Sequence, residues 1–72
     1  MTKTNKIKIK VNGKIIVTES HSSINDLVIK LKIPISKVAI ELNKKILNKK
    51  KLKSIFVKPK DKIEIVHFIG GG

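Results

Sequence analysis

The residues best suited to covalent chemistry are the three at the end of the sequence. Gly70, Gly71 and Gly72 directly follow an apolar segment, and no side chain widens them. Fully extended they span about 10 Å, so we expect a thin stalk that carries the Gly72 carboxylate. A carboxylate becomes electrophilic only as a mixed anhydride such as an acyl-adenylate, and attack on that anhydride by a sulfur donor leaves a thiocarboxylate. The alternative is a frayed end without function, which is common at termini.

The side chains offer little chemistry of their own. Cysteine is absent, so the chain forms no disulfide and has no thiol nucleophile. His67 has no Ser, Cys or second ligand at a useful spacing, and His21 lies in a polar loop. The five acidic residues show neither helical pairing nor a metal-ligand pattern; they are Glu19, Asp26, Glu41, Asp61 and Glu64. We therefore expect no intrinsic enzymatic activity, no metal site and no cofactor.

The charge of the chain is strongly positive. A net charge of +12 arises from 17 basic residues, all of them lysine, and such a charge raises nucleic acid or an anionic membrane as a partner. Without arginine, and with two phenylalanines as the only aromatic residues, the chain lacks the usual devices for reading or stacking bases. Nucleic acid is therefore an unlikely partner. A genome rich in A and T also explains the lysines, while the charge favours acidic partners in a salt-dependent way.

The apolar segments are too short for a membrane span or a signal peptide. Each runs for only a few residues, against roughly 20 for a membrane helix. We expect a soluble protein in the cytoplasm of a bacterium or the stroma of an organelle.

Apolar and lysine residues alternate strictly from Lys6 to Val11, which is typical of a half-buried strand. Asn12-Gly13 suits a two-residue turn, and Lys14 to Thr18 continues as a second strand. A helix of about ten residues should follow, because Ser23 and Asp26 resemble a capping box and Pro34 stops further helix. Its apolar stripe comprises Ile24, Leu27, Val28 and Leu31.

The remaining elements complete one small domain. Val38, Ile40 and Leu42 alternate as a third strand, Asn43-Lys44 turns the chain, and Ile46-Leu47 forms a brief fourth strand. Within Asn48 to Lys58, we expect a solvated Lys49-Lys50-Lys51 run and an apolar group that tucks beneath the sheet or forms one helical turn: Leu52, Ile55, Phe56 and Val57. A turn at Pro59-Lys60-Asp61 leads into a last strand, Lys62 to Ile69.

A right-handed crossover through the single helix places a later strand parallel to the first. The element order therefore predicts an α+β, ubiquitin-like β-grasp fold with a mixed sheet of four to five strands packed on one helix. Residues 1–69 should form the domain and residues 70–72 a flexible glycine tail.

The sequence resembles the sulfur carriers of thiamine biosynthesis, the ThiS family of the ubiquitin-like superfamily, over nearly its whole length. Its final dozen residues, Asp61 to Gly72, are the most specific part. The other matching segments are Val11-Asn12-Gly13-Lys14, Ser23-Ile24, Leu27-Val28, Leu31 and Val38-Ala39-Ile40-Glu41-Leu42-Asn43. Two segments depart from the family pattern: Leu47-Asn48-Lys49 replaces Val-Pro-Arg, and Lys60-Asp61 replaces Gly-Asp.

The resemblance implies a function and a set of partners. An E1-like adenylyltransferase would activate the Gly72 carboxylate with ATP, and a cysteine desulfurase pathway would supply sulfur for the thiocarboxylate. Thiazole synthase would then take that sulfur. Gly70 and Gly71 would enter the partner's active site with the terminal residue.

The last strand breaks its alternation just before the tail. Ile63 and Ile65 share one face, but Val66 and Phe68 are apolar on the face that should be exposed. We hypothesise that Val66, Phe68 and the neighbouring Ile69 form a docking patch for the partner. The alternative is that a bulge or an extra layer buries Val66 and Phe68 in the core.

Three other functions remain open from the sequence. A related carrier would deliver sulfur to molybdopterin or to transfer RNA, although such carriers tend to be longer. A basic β-grasp module would bind nucleic acid with a steep salt dependence and would not need the tail. A ubiquitin-like modifier would form lysine conjugates.

Overall fold

A β-hairpin opens the part of the chain that the computed structural model describes, residues 5–68. Strand β1 (Lys6–Val11) pairs antiparallel with β2 (Lys14–Glu19), with Ile9 opposite Ile16 and Val11 opposite Lys14. Asn12 and Gly13 have φ angles of 50° and 82°, as a type I′ turn requires. The predicted hairpin is confirmed.

Helix α1 (Ile24–Lys30) begins at the predicted capping box. The Ser23 hydroxyl accepts from the Asp26 N–H at 3.0 Å, and the Asp26 carboxylate accepts from the Ser23 N–H at 3.1 Å. These two bonds give partners to backbone N–H groups at the start of the helix, so the predicted capping box is confirmed.

The helix is seven residues long rather than about ten, because a Schellman motif ends it ahead of Pro34. Lys32 adopts a φ of 57°, its N–H donates to the Ile29 carbonyl, and the Ile33 N–H donates to the Val28 carbonyl. This is the bonding pattern that usually has glycine at the left-handed position.

The second half of the chain alternates short 3₁₀ helices with strands. A 3₁₀ helix at Ile35–Lys37 leads into β3 (Val38–Leu42), which turns into β4 (Lys45–Ile46). A second 3₁₀ helix, Lys49–Ser54, precedes β5 (Lys62–His67). The last strand ends two residues earlier than predicted, and Ile69 lies outside the described residues.

The five strands form one mixed sheet in the order β2-β1-β5-β3-β4. Strand β5 lies in the centre, parallel to β1 and antiparallel to β3. This is the crossover that the element order predicted, and the β-grasp fold is confirmed. Strand β5, which leads to the tail, is therefore held on both sides.

The core lies between the inner face of the sheet and the helix. Leu52 and Val57 are buried there, as expected, and Ile55 is half-buried. Among the described residues, eleven apolar side chains are buried: Ile9, Val11, Ile24, Leu27, Val28, Val38, Ile40, Leu52, Val57, Ile63 and Ile65.

Phe56 was wrongly grouped with this core, since 54% of its surface is exposed. A β-bridge joins it to Ser23, and the Ile24 N–H donates to the Ile55 carbonyl. The segment is therefore extended, so Ile55 and Val57 point to one side and Phe56 to the other.

Three lysines occupy backbone conformations that favour glycine: Lys32, Lys44 and Lys60, with φ of 57°, 72° and 70°. We expect a triple lysine-to-glycine variant at these positions to raise the melting temperature by roughly 10 °C, since relief at each site contributes about 0.5–1 kcal/mol. Lys30→Gly, inside the helix, is the matched control and should lower stability by about 1 kcal/mol. Thermal unfolding measures both; a lower melting temperature in the triple variant would contradict the backbone argument.

Candidate functional site

The site predicted from the sequence is the C-terminal tail and the surface from which it leaves the domain. Ile69, Gly70, Gly71 and Gly72 lie outside the described residues, so their predicted roles stay predictions. The described part of the site is the end of β5. His67 pairs with Val38, and the Phe68 N–H donates to the Lys37 carbonyl at 2.9 Å.

The start of β5 is fixed by two polar side chains at the β3–β4 turn and at the turn before β5. Asn43 accepts from the Lys62 N–H at 2.9 Å and donates to the Asp61 carboxylate at 3.0 Å. The other Asp61 oxygen accepts from the Lys58 N–H at 2.7 Å. Asp61 is buried, so these bonds compensate its lost hydration. Its role is therefore structural.

The middle of β5 is held by the side chain of the hairpin turn. Strand β1 ends at Val11, and beyond it the Asn12 side chain continues the ladder. Its Oδ1 accepts from the Ile65 N–H at 2.7 Å, and its Nδ2 donates to the Ile65 carbonyl at 3.2 Å. The sequence indicated Asn12 only as a turn residue; this long-range bond pair was missed.

We expect Asn12→Gly to lower the free energy of unfolding by about 1–3 kcal/mol, because two main-chain groups of Ile65 lose their partners. Glycine keeps the left-handed backbone without strain, so the loss reports the side-chain bonds together with the larger conformational entropy of glycine in the unfolded chain. Asn12→Ala should lose about 1–2 kcal/mol more through backbone strain. Chemical denaturation and exchange protection of the Ile65 amide measure the effect, and unchanged protection would show that Asn12 does not hold β5.

Val66 and Phe68 are both exposed, by 53% and 57% of their surfaces, so the alternative of a bulge or buried layer is wrong. Val66 lies opposite Ala39, on the face of the sheet away from the helix. The Lys49 Nζ lies 5.1 Å from the centroid of the Phe68 ring, within the range of a cation–π contact. We call Val66 and Phe68 the docking patch; the structure shows its exposure, while its role in binding stays a prediction.

The outer face of the sheet carries further apolar side chains that sequence reasoning missed. Ile46 is 75% exposed and lies opposite Glu41, while Ile15 and Val17 are exposed on β2. The run Ile15-Ile16-Val17 gave a signal, because three successive apolar residues on a strand cannot all face one side.

Other candidate groups are not brought together. His67 and His21 are exposed, and within residues 5–68 no three His, Cys, Asp or Glu side chains are placed to hold a metal ion. Asp26 caps the helix and Asp61 holds a turn. No helix in the same range has the length and apolar character to cross a membrane.

Comparison with known proteins agrees with this geometry. The model of the ThiS family matches residues 4–72. The chain belongs to the ThiS family. This confirms the resemblance seen in the sequence, and the ThiS family comprises sulfur carriers of thiamine biosynthesis.

Solved ThiS structures share the fold. The crystal structure of a thiamine biosynthesis protein (ThiS) from Geobacter metallireducens has a TM-score of 0.82 and 29% identity, covering 92% of this chain and 100% of that one. A solution NMR structure of a thiamine biosynthesis protein from the same organism has a TM-score of 0.72 and 28% identity, covering 92% and 88%.

A longer protein also contains a related segment. A thiazole synthase of Magnetococcus marinus is 35% identical over 66 residues, which make up 92% of this chain and 20% of that relative. This ThiS-family chain thus spans only about a fifth of that protein's length.

Proposed function

We propose that this chain carries sulfur for the thiazole ring of thiamine on its Gly72 carboxylate. The observation that carries the proposal is the family match, which runs through the tail to residue 72. The central position of β5 supports it, because a strand paired on both sides is a firm base for the residues that follow it in the sequence.

The chemistry proceeds in two balanced steps. The Gly72 carboxylate oxygen attacks the α-phosphorus of ATP, and pyrophosphate leaves. Sulfide then attacks the acyl carbon and AMP leaves, so that a thiocarboxylate replaces the carboxylate. If the donor is a persulfide instead, its attack gives an acyl disulfide, and a thiol must then reduce this disulfide to release the thiocarboxylate. An E1-like adenylyltransferase catalyses the first step, and a cysteine desulfurase pathway supplies the sulfur. The carrier itself is a co-substrate, not the catalyst.

The role of the two glycines before Gly72 is to let the terminal carboxylate enter the active site of the partner; they take no part in the reaction themselves. Gly70 and Gly71 carry no Cβ, so the activating site can close around the terminal carbonyl and exclude water. The docking patch, extended by Ile69, gives the partner an apolar surface beside the tail. Residues 1–69 act as the domain that the partner recognises, and residues 70–72 act as the part that enters its active site.

Thiazole synthase is the proposed acceptor of the sulfur. Its support is the carrier-like segment within the Magnetococcus marinus thiazole synthase. No corresponding observation favours molybdopterin, transfer RNA, lysine conjugation or nucleic-acid binding. Because activation consumes ATP, we place the reaction in a bacterial cytoplasm or an organelle stroma.

Complementation tests the proposal. In bacterial cells that lack their own thiamine sulfur carrier, the full chain should restore growth without added thiazole. The same expression plasmid should not restore molybdenum-cofactor enzymes in cells that lack the molybdopterin carrier. Rescue of the second strain alone would reassign the pathway, and rescue of neither, with the protein shown to be folded and expressed, would overturn the proposal.

A further inference from the structure

Four lysines surround an apolar hollow on the outer face of the sheet, at the end of β5 remote from the tail. Lys8 and Lys10 come from β1, Lys60 from the turn before β5, and Lys62 from the first position of β5. The hollow has a volume of about 290 Å³ and is also lined by Ile9 and Ile15. We call these six residues the lysine hollow.

The backbone brings the four lysines together. Lys10 pairs with Lys62 in the parallel ladder, and the Lys60 N–H donates to the Lys8 carbonyl at 2.9 Å. Like charges on neighbouring strand positions repel each other. A bound anionic surface would offset this repulsion.

The floor of the hollow is apolar. Ile15 lies opposite Lys10, is 65% exposed and forms this floor, whereas the Ile9 side chain is buried in the core on the inner face of the sheet. An exposed aliphatic side chain ringed by charges has the layout of a small protein interface, with an apolar centre and a polar rim.

We propose that the lysine hollow docks an acidic protein surface in which carboxylates flank an apolar side chain. Three kinds of partner could bind such a hollow: an acidic protein, a second copy of this chain or a nucleic acid. Charge and side-chain chemistry favour the acidic protein. A second copy of this chain, with a net charge of +12, is repelled. Nucleic acid is disfavoured because the hollow contains neither an arginine fork nor an aromatic ring for stacking.

The hollow and Phe68 lie at opposite ends of β5. From Lys62 to His67 the strand covers roughly 16 Å at 3.3 Å per residue. A partner bound at the hollow therefore leaves the docking patch accessible. This inference does not depend on the proposed sulfur chemistry.

Titration of the full chain with an acidic peptide, followed by amide NMR shifts, tests the proposal. The probe is acetyl-Glu-Asp-Leu-Asp-Glu-amide, and a second peptide with Gly in place of Leu measures the apolar contribution. We expect shifts concentrated at the lysine hollow, binding at least about threefold weaker for the Gly peptide, and further weakening of several-fold between 20 and 200 mM salt.

Two double variants with the same change in net charge distinguish binding at the lysine hollow from nonspecific electrostatic attraction to the whole protein. Lys8→Glu with Lys62→Glu should remove the localised shifts, whereas Lys51→Glu with Lys53→Glu, on the exposed second 3₁₀ helix, should retain them. Equal loss in both variants, shifts spread over all lysines, or equal binding of the two peptides would overturn the proposal. Tighter binding of the same hollow to oligo-dT or to vesicles containing anionic lipid would also overturn it, because the partner class would be wrong. Thermal unfolding of both variants confirms that they fold.

Discussion

Truncation after Gly70 is expected to abolish adenylation of the chain, with a loss of more than about 10³-fold in ATP–pyrophosphate exchange with an E1-like adenylyltransferase. Removing two residues shortens the reach of the terminal carboxylate by about 7 Å. A displacement of even 1 Å can cost on the order of 10²-fold in a positioned reaction. The shortened carboxylate therefore cannot meet the α-phosphorus of ATP.

The truncated chain should remain folded, because within residues 5–68 the buried apolar side chains all lie between Ile9 and Ile65. Its melting temperature is the control and should match that of the full chain. Gly71→Ala tests the need for a narrow stalk without changing its length, and we expect an intermediate loss. Full exchange activity in the truncated chain would show that the reacting group lies elsewhere.

Phe68→Ser is expected to reduce kcat/KM for adenylation by about 30-fold, since removal of an aromatic interface anchor costs about 2 kcal/mol or more. The exposed ring is two residues beyond Val66 and immediately precedes the tail segment in the sequence, so we expect a partner that receives the tail to contact it. Stability should change by less than about 0.5 kcal/mol, because the ring is outside the core.

The chain contains a matched control for this substitution. Phe56 is exposed to a similar degree, 54% against 57% for Phe68, but it lines a hollow with Asn43 and Asp61 near the start of β5. Phe56→Ser should leave adenylation unchanged. If the two serine variants reduced adenylation equally, Phe68 would have no special role in docking. If Phe68→Ser alone caused a large fall in melting temperature, the role of Phe68 would be packing within the domain.

Local sequence rules predicted the elements whose determinants are close together in the chain. Alternation from Lys6 to Val11 and the Asn12-Gly13 turn defined the hairpin, and Ser23 with Asp26 defined the start of the helix. The end of the helix was predicted too late. Its stop is Lys32 in a left-handed conformation, and lysine gives no stop signal, whereas glycine at the same place would.

Features that depend on distant partners could not be predicted from local patterns. Phe56 stands in the apolar run Ile55-Phe56-Val57, and only the bridge from Ser23 to Phe56 shows why its side chain points outward. The broken alternation at Val66 and Phe68 allowed either burial or exposure. Likewise, the bond pair from Asn12 to Ile65 spans 53 positions, beyond any turn or helix rule.

Some of the lysines are explained by the amino-acid composition of the chain, whereas others form a defined surface. Three of the 17, Lys32, Lys44 and Lys60, occupy left-handed positions where glycine is preferred. That pattern favours a compositional origin for Lys32 and Lys44, whereas Lys60 also lines the lysine hollow. The lysine hollow differs, because Lys8, Lys10 and Lys62 lie on good strand positions around an exposed apolar floor.

Intact-mass spectrometry of the full chain tests the central claim most directly. The protein is incubated with an E1-like adenylyltransferase, ATP and sulfide, and its mass is compared with that of the chain truncated after Gly70. The account predicts a gain of about 16 Da in the full chain alone, as sulfur replaces one terminal oxygen. As a control, the same enzyme preparation must convert its own carrier protein in a parallel reaction. If it does and the mass of the full chain is unchanged, the result contradicts the account.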